Sequence, residues 1–287
     1  MVFVVPDPVR ASMTGKRLSI VVPTFDCEAY LHECLDSVLS QLPSDCELVV
    51  VDDGSRDATP AMLRALSGTR ENLRVVLRGH GGVSAARNAG LDAARGDYVA
   101  FLDCDDCLRP DFLERALPLL EQGDDLYIFG LERVWMSGAS EVRPIADAAF
   151  PCVSDFADEY VRTREMLVYP VCNKFYRRSV IEALSLRFEE GVSFGEDRLF
   201  NFRFLAGCGS VRTSGVLMYR YIQRSEESLS SGNIPHFDEV LARLNEAKID
   251  CFLSLSKGTS EQERRRFVDA CRSDERNARR RRLLHHK

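Results

Sequence analysis

The chain has 287 residues, 45% of them hydrophobic and 29% charged, a balance that suits a soluble globular protein of one large domain with an appendage, or of two modest domains. A formal net charge of −6 argues against a general nucleic-acid binder, and no apolar run approaches the ~20 residues of a membrane-spanning helix. Ten cysteines are scattered through strand-like and helical patterns with no signal peptide ahead of them, which reads as reduced thiols in a cytoplasmic enzyme.

Residues 1–16, with Pro6, Pro8 and Gly15, read as an irregular lead. The β-branched run Leu18 to Val22 predicts a strand that stops at Pro23-Thr24-Phe25-Asp26, and apolar residues at helical spacing follow from Glu28 to Leu42. The unit then repeats. Glu47 to Val51 is a second strand ending in Asp52-Asp53-Gly54-Ser55 before a helix at Thr59–Leu66, and Leu73 to Leu77 is a third, followed by a helix through Ala85, Asn88, Leu91 and Ala94. A fourth strand begins at Tyr98 and delivers Asp103-Cys104-Asp105-Asp106.

Such alternation predicts an α/β fold: a Rossmann-like, mostly parallel central sheet covered by helices on both faces, with ligands gathered at the carboxyl ends of the strands. Three of those ends carry Thr24/Asp26, Asp52/Asp53 and Asp103/Asp105, which are expected to meet in one crevice. Beyond it, Leu126 to Leu131 reads as a strand, 134–150 as an irregular excursion, and Asp155 to Leu167 as a helix. Asn173 to Tyr176 is read as a strand or turn, Glu196 to Leu205 as a helix with an acidic start, and Leu217 to Arg224 as a weak late strand. Phe237–Leu255 and Glu261–Leu284 are two helical patterns forming a C-terminal helical appendage. The division expected is a 1–16 lead, a 17–125 half that carries the three strand-end carboxylate groups, a 126–232 half that carries the later strands and the acidic helix start, and a 233–287 appendage with a basic tail.

Residues two apart on a strand face the same side, so Asp103 and Asp105 can converge on one hard cation. The plainer reading is a turn, with Asp106 capping the helix that begins near Pro110. Cys104 and Cys107 form a C-x-x-C, but no second half of a zinc site occurs, and the intervening carboxylates oppose thiolate chemistry. A dinucleotide fold would place its glycines directly after the first strand, where Pro23-Thr24-Phe25-Asp26 stands, and no P-loop sequence occurs. Haloacid-dehalogenase-like phosphatases also end a strand in Asp-X-Asp, with the first Asp as nucleophile, but on their first strand and before Gly-Thr or Gly-Val.

The ordered set Leu18 to Phe25, Glu47 to Asp57, Gly82-Val83-Ser84-Ala85-Ala86-Arg87-Asn88-Ala89-Gly90 and Gly96 to Asp106 resembles family 2 glycosyltransferases of the GT-A fold. The similarity continues more loosely through Cys172 to Arg178 and Phe194-Gly195-Glu196-Asp197, as in members that build capsule, exopolysaccharide or cell-wall glycans, and fades after about residue 230. The resemblance implies a metal-dependent inverting transfer of a sugar from a nucleotide diphosphate sugar, UDP-linked, to a glycan or lipid-linked acceptor. It implies Asp105 as metal ligand for Mn²⁺ or Mg²⁺, with Asp103 on the ribose or the metal shell. Asp53 would accept from a uracil-type base, Pro23, Thr24 and Asp26 would line the base pocket, and Lys174 would join the donor site. Asp197 is the expected base, with Glu196 the fallback. Arg87 either faces the donor phosphates or is a solvated helix cation, and Arg220 and Arg224 either close over the diphosphate or line a solvated strand face. A phosphatase acting through Asp103 and a catalytically silent nucleotide-binding module are the alternatives.

Arg264, Arg265, Arg266, Arg272, Arg276 and Arg279 to Arg282 crowd one end of an acidic chain, with Phe267, Val268, Leu283 and Leu284 as apolar companions. That pattern is expected either to touch the inner face of an anionic membrane or, since Glu261, Glu263, Asp269, Asp274 and Glu275 interleave, to form a salt-bridged helix.

Overall fold

The computed structural model describes residues 15–192, 194–224, 234 and 236–285. Its first half follows the alternation of the sequence: β1 (Leu18–Thr24), α1 (Leu31–Leu39), β2 (Cys46–Asp52), α2 (Thr59–Leu66), β3 (Leu73–Leu77), α3 (Val83–Ala93) and β4 (Tyr98–Phe101). The second half holds β5 (Cys107–Leu108), α4 (Phe112–Ala116), β6 (Leu126–Trp135), β7 (Ser140–Arg143), β8 (Ala148–Phe150), α5 (Val153–Thr163), β9 (Lys174–Arg177), α6 (Arg178–Ala183), α7 (Glu196–Gly207), β10 (Val211–Gln223), α8 (Phe237–Leu255) and α9 (Glu261–His285).

One sheet runs in the order β3-β2-β1-β4-β9-β6-β10-β5, with β7 against β6 and β8 against β10. The first four strands are mutually parallel, as their helix-linked spacing requires. Past β4 the sheet is mixed: β9 is antiparallel to both β4 and β6, while β6 and β10 are parallel. Strict alternation along the strands builds two apolar layers. Val21, Val49, Phe101 and Ile128 point to the side of α3, α5, α7, α8 and α9, whereas Ile20, Leu48, Ala100 and Tyr127 point to α1, α2 and α4.

Each layer takes residues from both halves of the chain, and Phe252 of α8 and Phe267 of α9 sit in the first with Val21 and Phe101. The C-terminal helices therefore share the main core. Burying Phe252 or Phe267, each within 2% of fully enclosed, contributes roughly 2–3 kcal/mol of hydrophobic free energy. Two readings change with this structure. The 134–150 excursion contains β7 and β8, and the weak late strand is the long β10, next to the sheet edge, whose polar start at Arg212-Thr213-Ser214 is held by pairing to β6 and β8 rather than by its own propensity.

Candidate active site

The carboxyl ends of β1, β2 and β4 lie side by side, because Thr24 is in register with Asp52 and Val21 with Phe101. The Asp53 amide donates to Thr24 O at 2.9 Å, and Asp26 accepts from Arg56 N at 2.7 Å, so the loops after β1 and β2 are laced together. Asp52 is a turn residue, accepting from Ser55 Oγ at 2.5 Å. Pro23 and Thr24 are buried beneath this loop, while Phe25 and Asp26 face outward.

Asp53 is 2% exposed; its carboxylate accepts from Gly81 N at 3.1 Å, Gly82 N at 2.7 Å and Arg78, and His80 Nδ1 lies 2.9 Å from its Oδ2 and 3.1 Å from its backbone oxygen. Its lone pairs are thus taken up by its own chain. What faces outward above it is the Phe25 ring tilted against His80, with centroids 4.4 Å apart. The pair was not foreseen, since neither residue stands out until Asp53 anchors the imidazole.

The fourth strand end turns sharply. Asp106 is buried, accepting from Ile222 N at 2.6 Å and from the Tyr219 hydroxyl, and burial with the neighbouring Asp105 pushes its carboxyl up to about 8. It caps no helix; it ties the turn to β10. Arg224 donates to Asp105 O at 2.7 Å and lies 4.1 Å from the Tyr30 ring centre, which corrects the solvated strand face expected of it. Arg220 pairs with Glu132 at 3.5 Å.

Asp105 faces outward from this turn, its carboxyl raised above the ordinary range by desolvation and then by the charge of Asp103. Among the described residues no three His, Cys, Asp or Glu side chains converge to enclose an ion. Two carboxylates still fit a cation that takes its remaining oxygens from a diphosphate and water, and such a cation would relieve their mutual repulsion. The Cys104 thiol contacts Cys27, not Cys107, and the buried Cys107 thiol is pushed up to about 11 by burial.

Arg87 links the two halves of the site. Its guanidinium lies 2.9 Å from Asp103 Oδ1 and 2.9 Å from Glu196 Oε1, and it is 5% exposed, so it is no solvated helix cation. Two glycines make the link possible. Gly90 lets α3 press on β1, where an added Cβ would collide with the Val21 side chain. Gly195 enters α7 at φ +82° against Leu244, a left-handed backbone that favours glycine. That entry presents Glu196 and Asp197 in the first turn of α7. Burial, then the charge of Glu196, pushes the Asp197 carboxyl up to about 6.

Lys174 does not reach the crevice. The residue is 1% exposed, and its ammonium donates to Leu167 O at 2.9 Å, Asn173 Oδ1 at 2.8 Å and Pro170 O, which makes it an internal clamp of the loop before β9.

Residues 19–185 match the model of the family described as glycosyl transferase family 2. The chain belongs to that family. The phosphatase reading of Asp103 falls with this finding. The glycosyltransferase is 30% identical over 237 residues to EpsJ, an uncharacterized glycosyltransferase of Bacillus subtilis (strain 168), covering 81% of this chain and 68% of that protein. It is 30% identical over 233 residues to the succinoglycan biosynthesis protein ExoO of Rhizobium meliloti (strain 1021), covering 78% of this chain and 66% of that one. Its fold matches the crystal structure of S. aureus TarS 1-349 in complex with UDP-GlcNAc, with a TM-score of 0.69 at 23% identity over 88% of this chain and 70% of that chain. The GT-A α/β fold is therefore established for this glycosyltransferase.

Among the described residues no helix is long and apolar enough to cross a membrane. In α9, Phe267 is buried in the core and is not an apolar contact for lipid. Arg264 caps α8 by donating to Leu253 O at 2.7 Å, Arg265 pairs with Glu261 at 3.1 Å, and Arg279 pairs with Glu275 at 2.6 Å. The side chains of Arg281, Arg282, Leu283 and Leu284 lie outside the described residues.

Proposed function

We propose that this family 2 glycosyltransferase moves one sugar from a UDP-type nucleotide sugar to a hydroxyl of a bacterial surface glycan or lipid-linked precursor, with inversion of configuration. The observation that carries the reading is the Arg87 bridge, which joins Asp103 of the donor-side turn to Glu196 beside Asp197 at 2.9 Å on each arm. It unites the two motifs that a single displacement requires. In this reading Phe25 and His80 hold the base against the loop laced by Asp53, Thr24, Pro23 and Asp26. Asp105, with Asp103, holds a divalent cation, Mn²⁺ or Mg²⁺, whose charge offsets that developing on the departing diphosphate.

Asp197 takes the acceptor proton while the acceptor oxygen attacks the anomeric carbon from the face opposite the diphosphate, so configuration inverts. A carboxyl raised to about 6 is ionised at neutral pH yet more basic than an ordinary one, which suits a general base. Glu196 is the lesser candidate because its Oε1 already accepts from Arg87. The UDP-GlcNAc complex of TarS and the succinoglycan role in the name of ExoO support the donor and product classes. A cytoplasmic setting at the inner face of a membrane belongs to the same reading, with exposed Arg266, Arg272, Arg276 and Arg280 on one side of α9 toward anionic lipid.

A thermal-shift panel of nucleotide sugars with and without Mn²⁺ tests the function. A donor at a hundred times its Kd stabilises the folded state by about 2.7 kcal/mol. A melting temperature unmoved by every UDP-sugar in the presence of Mn²⁺ or Mg²⁺ refutes the reading.

A further inference from the structure

β6 and β10 continue in parallel register to their ends, pairing Tyr221 with Arg133 and Gln223 with Trp135. The two-residue period sets Arg133 and Trp135 on one face of β6, and Tyr219 and Tyr221 on one face of β10. Between the strands the Arg133 guanidinium lies 5.8 Å from the Trp135 ring centre and 5.7 Å from that of Tyr221. Tyr221 lies nearly parallel to Tyr219, with centroids 6.5 Å apart and planes at 26°. The row thus runs from the donor turn outward, because the Tyr219 hydroxyl and the Ile222 amide both donate to Asp106.

Trp135 is fixed at both backbone groups: its amide donates to Ala139 O at 2.9 Å and its carbonyl accepts from Gly138 N at 2.8 Å. Arg133, Trp135 and Tyr221 are all half-buried, so their rings are neither core nor free. Arg109 and Arg220 share Glu132, but Arg133 has no carboxylate partner among the described residues. A rigid, half-open aromatic pair with a fixed guanidinium between the rings is the chemistry that receives a pyranose: the apolar C–H face lies on the rings, and the guanidinium donates to ring hydroxyls.

We propose that Trp135 and Tyr221, bridged by Arg133, form an acceptor subsite on which a pyranose ring of the acceptor glycan stacks beside the donor turn. The proposal rests on the transferase reading above. It gives the acceptor chain a fixed track leading away from Asp105.

Trp135 is the only tryptophan of the chain, so its fluorescence reports on this subsite alone. Full-length protein holding UDP and Mn²⁺ is titrated with cellopentaose, chitopentaose and a hyaluronan hexasaccharide, and UDP binding is followed separately by calorimetry. The expected result is a saturable change in emission with at least one oligosaccharide, weakened about fivefold to tenfold by Tyr221→Ala. In transfer assays with that oligosaccharide, Trp135→Ala raises the acceptor KM by a similar factor without a matching change in donor KM, and Trp135→Phe restores most of it. If UDP binds with its metal but no oligosaccharide alters the emission, or Tyr221→Ala binds as tightly as the parent, the subsite is overturned and the transferase reading stands. If UDP itself does not bind, the transferase reading fails and the subsite with it.

Discussion

Replacing Arg87 by Met keeps most of the aliphatic stem and removes the guanidinium that joins the two halves of the site. The Arg87 side chain is 6% exposed, its partner Glu196 13% and its partner Asp103 34%. Breaking a buried pair by deleting one member costs about 3–5 kcal/mol, because a carboxylate is left desolvated, whereas an exposed pair is worth ~0–1 kcal/mol. The Glu196 arm belongs nearer the first case and the Asp103 arm nearer the second, so a loss of ~3 kcal/mol is expected, equivalent to a fall of about 6–12 °C in melting temperature for a chain of this size. A second effect follows from charge. Arg87 favours the ionised form of Asp197, so its removal lifts that carboxyl further above about 6. Thermal denaturation measures the first effect, and the acid limb of kcat/KM against pH measures the second, which must move to higher pH. Arg87→Lys, which keeps the charge but not the fork, should restore the limb better than it restores stability. A variant that melts within about 1 °C of the parent, with an unmoved acid limb, would refute the bridge as argued here.

Asp105→Asn keeps the shape of the side chain and loses the charge, so metal-dependent UDP binding is expected to vanish while the melting temperature without ligand is retained; calorimetry with and without Mn²⁺ decides it. Asp197→Asn should remove sugar transfer and leave donor binding intact, since proton removal belongs to the transition state, and normal transfer by this variant alongside an inactive Glu196→Gln would exchange the two roles. The same substitution carries a stability signature. The folded-state carboxyl of Asp197 lies above its unfolded value, so ionising it opposes folding as pH rises through about 6, and Asn should stabilise the protein by on the order of 1–3 kcal/mol above that pH but not in acid. Deleting residues 276–287 removes Arg276 and Arg280 from the exposed face of α9, and is expected to reduce co-sedimentation with anionic vesicles at low salt; equal sedimentation of the two proteins would dismiss the membrane contact.

The first half of the chain was legible because β1, β2 and β4 are buried on both faces and punctuated at their carboxyl ends. A run such as Glu47-Leu48-Val49-Val50-Val51 has few alternatives to a central strand, and Asp-Asp-Gly-Ser has few alternatives to its turn. β3 and α2 accordingly lie at the residues their patterns mark, and α8 at the apolar spacing of Phe237–Leu255. The family, too, lay in the order of these local motifs. What the sequence could not state is what each charge faces, because that depends on partners far along the chain. The sequence left Arg87 between the donor phosphates and a solvated helix face until α7 brought Glu196 to it from 109 positions away. Lys174 looked like a donor-site cation until the loop before β9 closed its carbonyls over the ammonium. Asp106 looked like a cap until β10 supplied Tyr219 and Ile222. Strand and helix follow from spacing within a few residues, whereas desolvation and ion pairing are set by packing across the sheet. The tertiary structure alone therefore decided which carboxylate is paired, which is raised, and which faces outward.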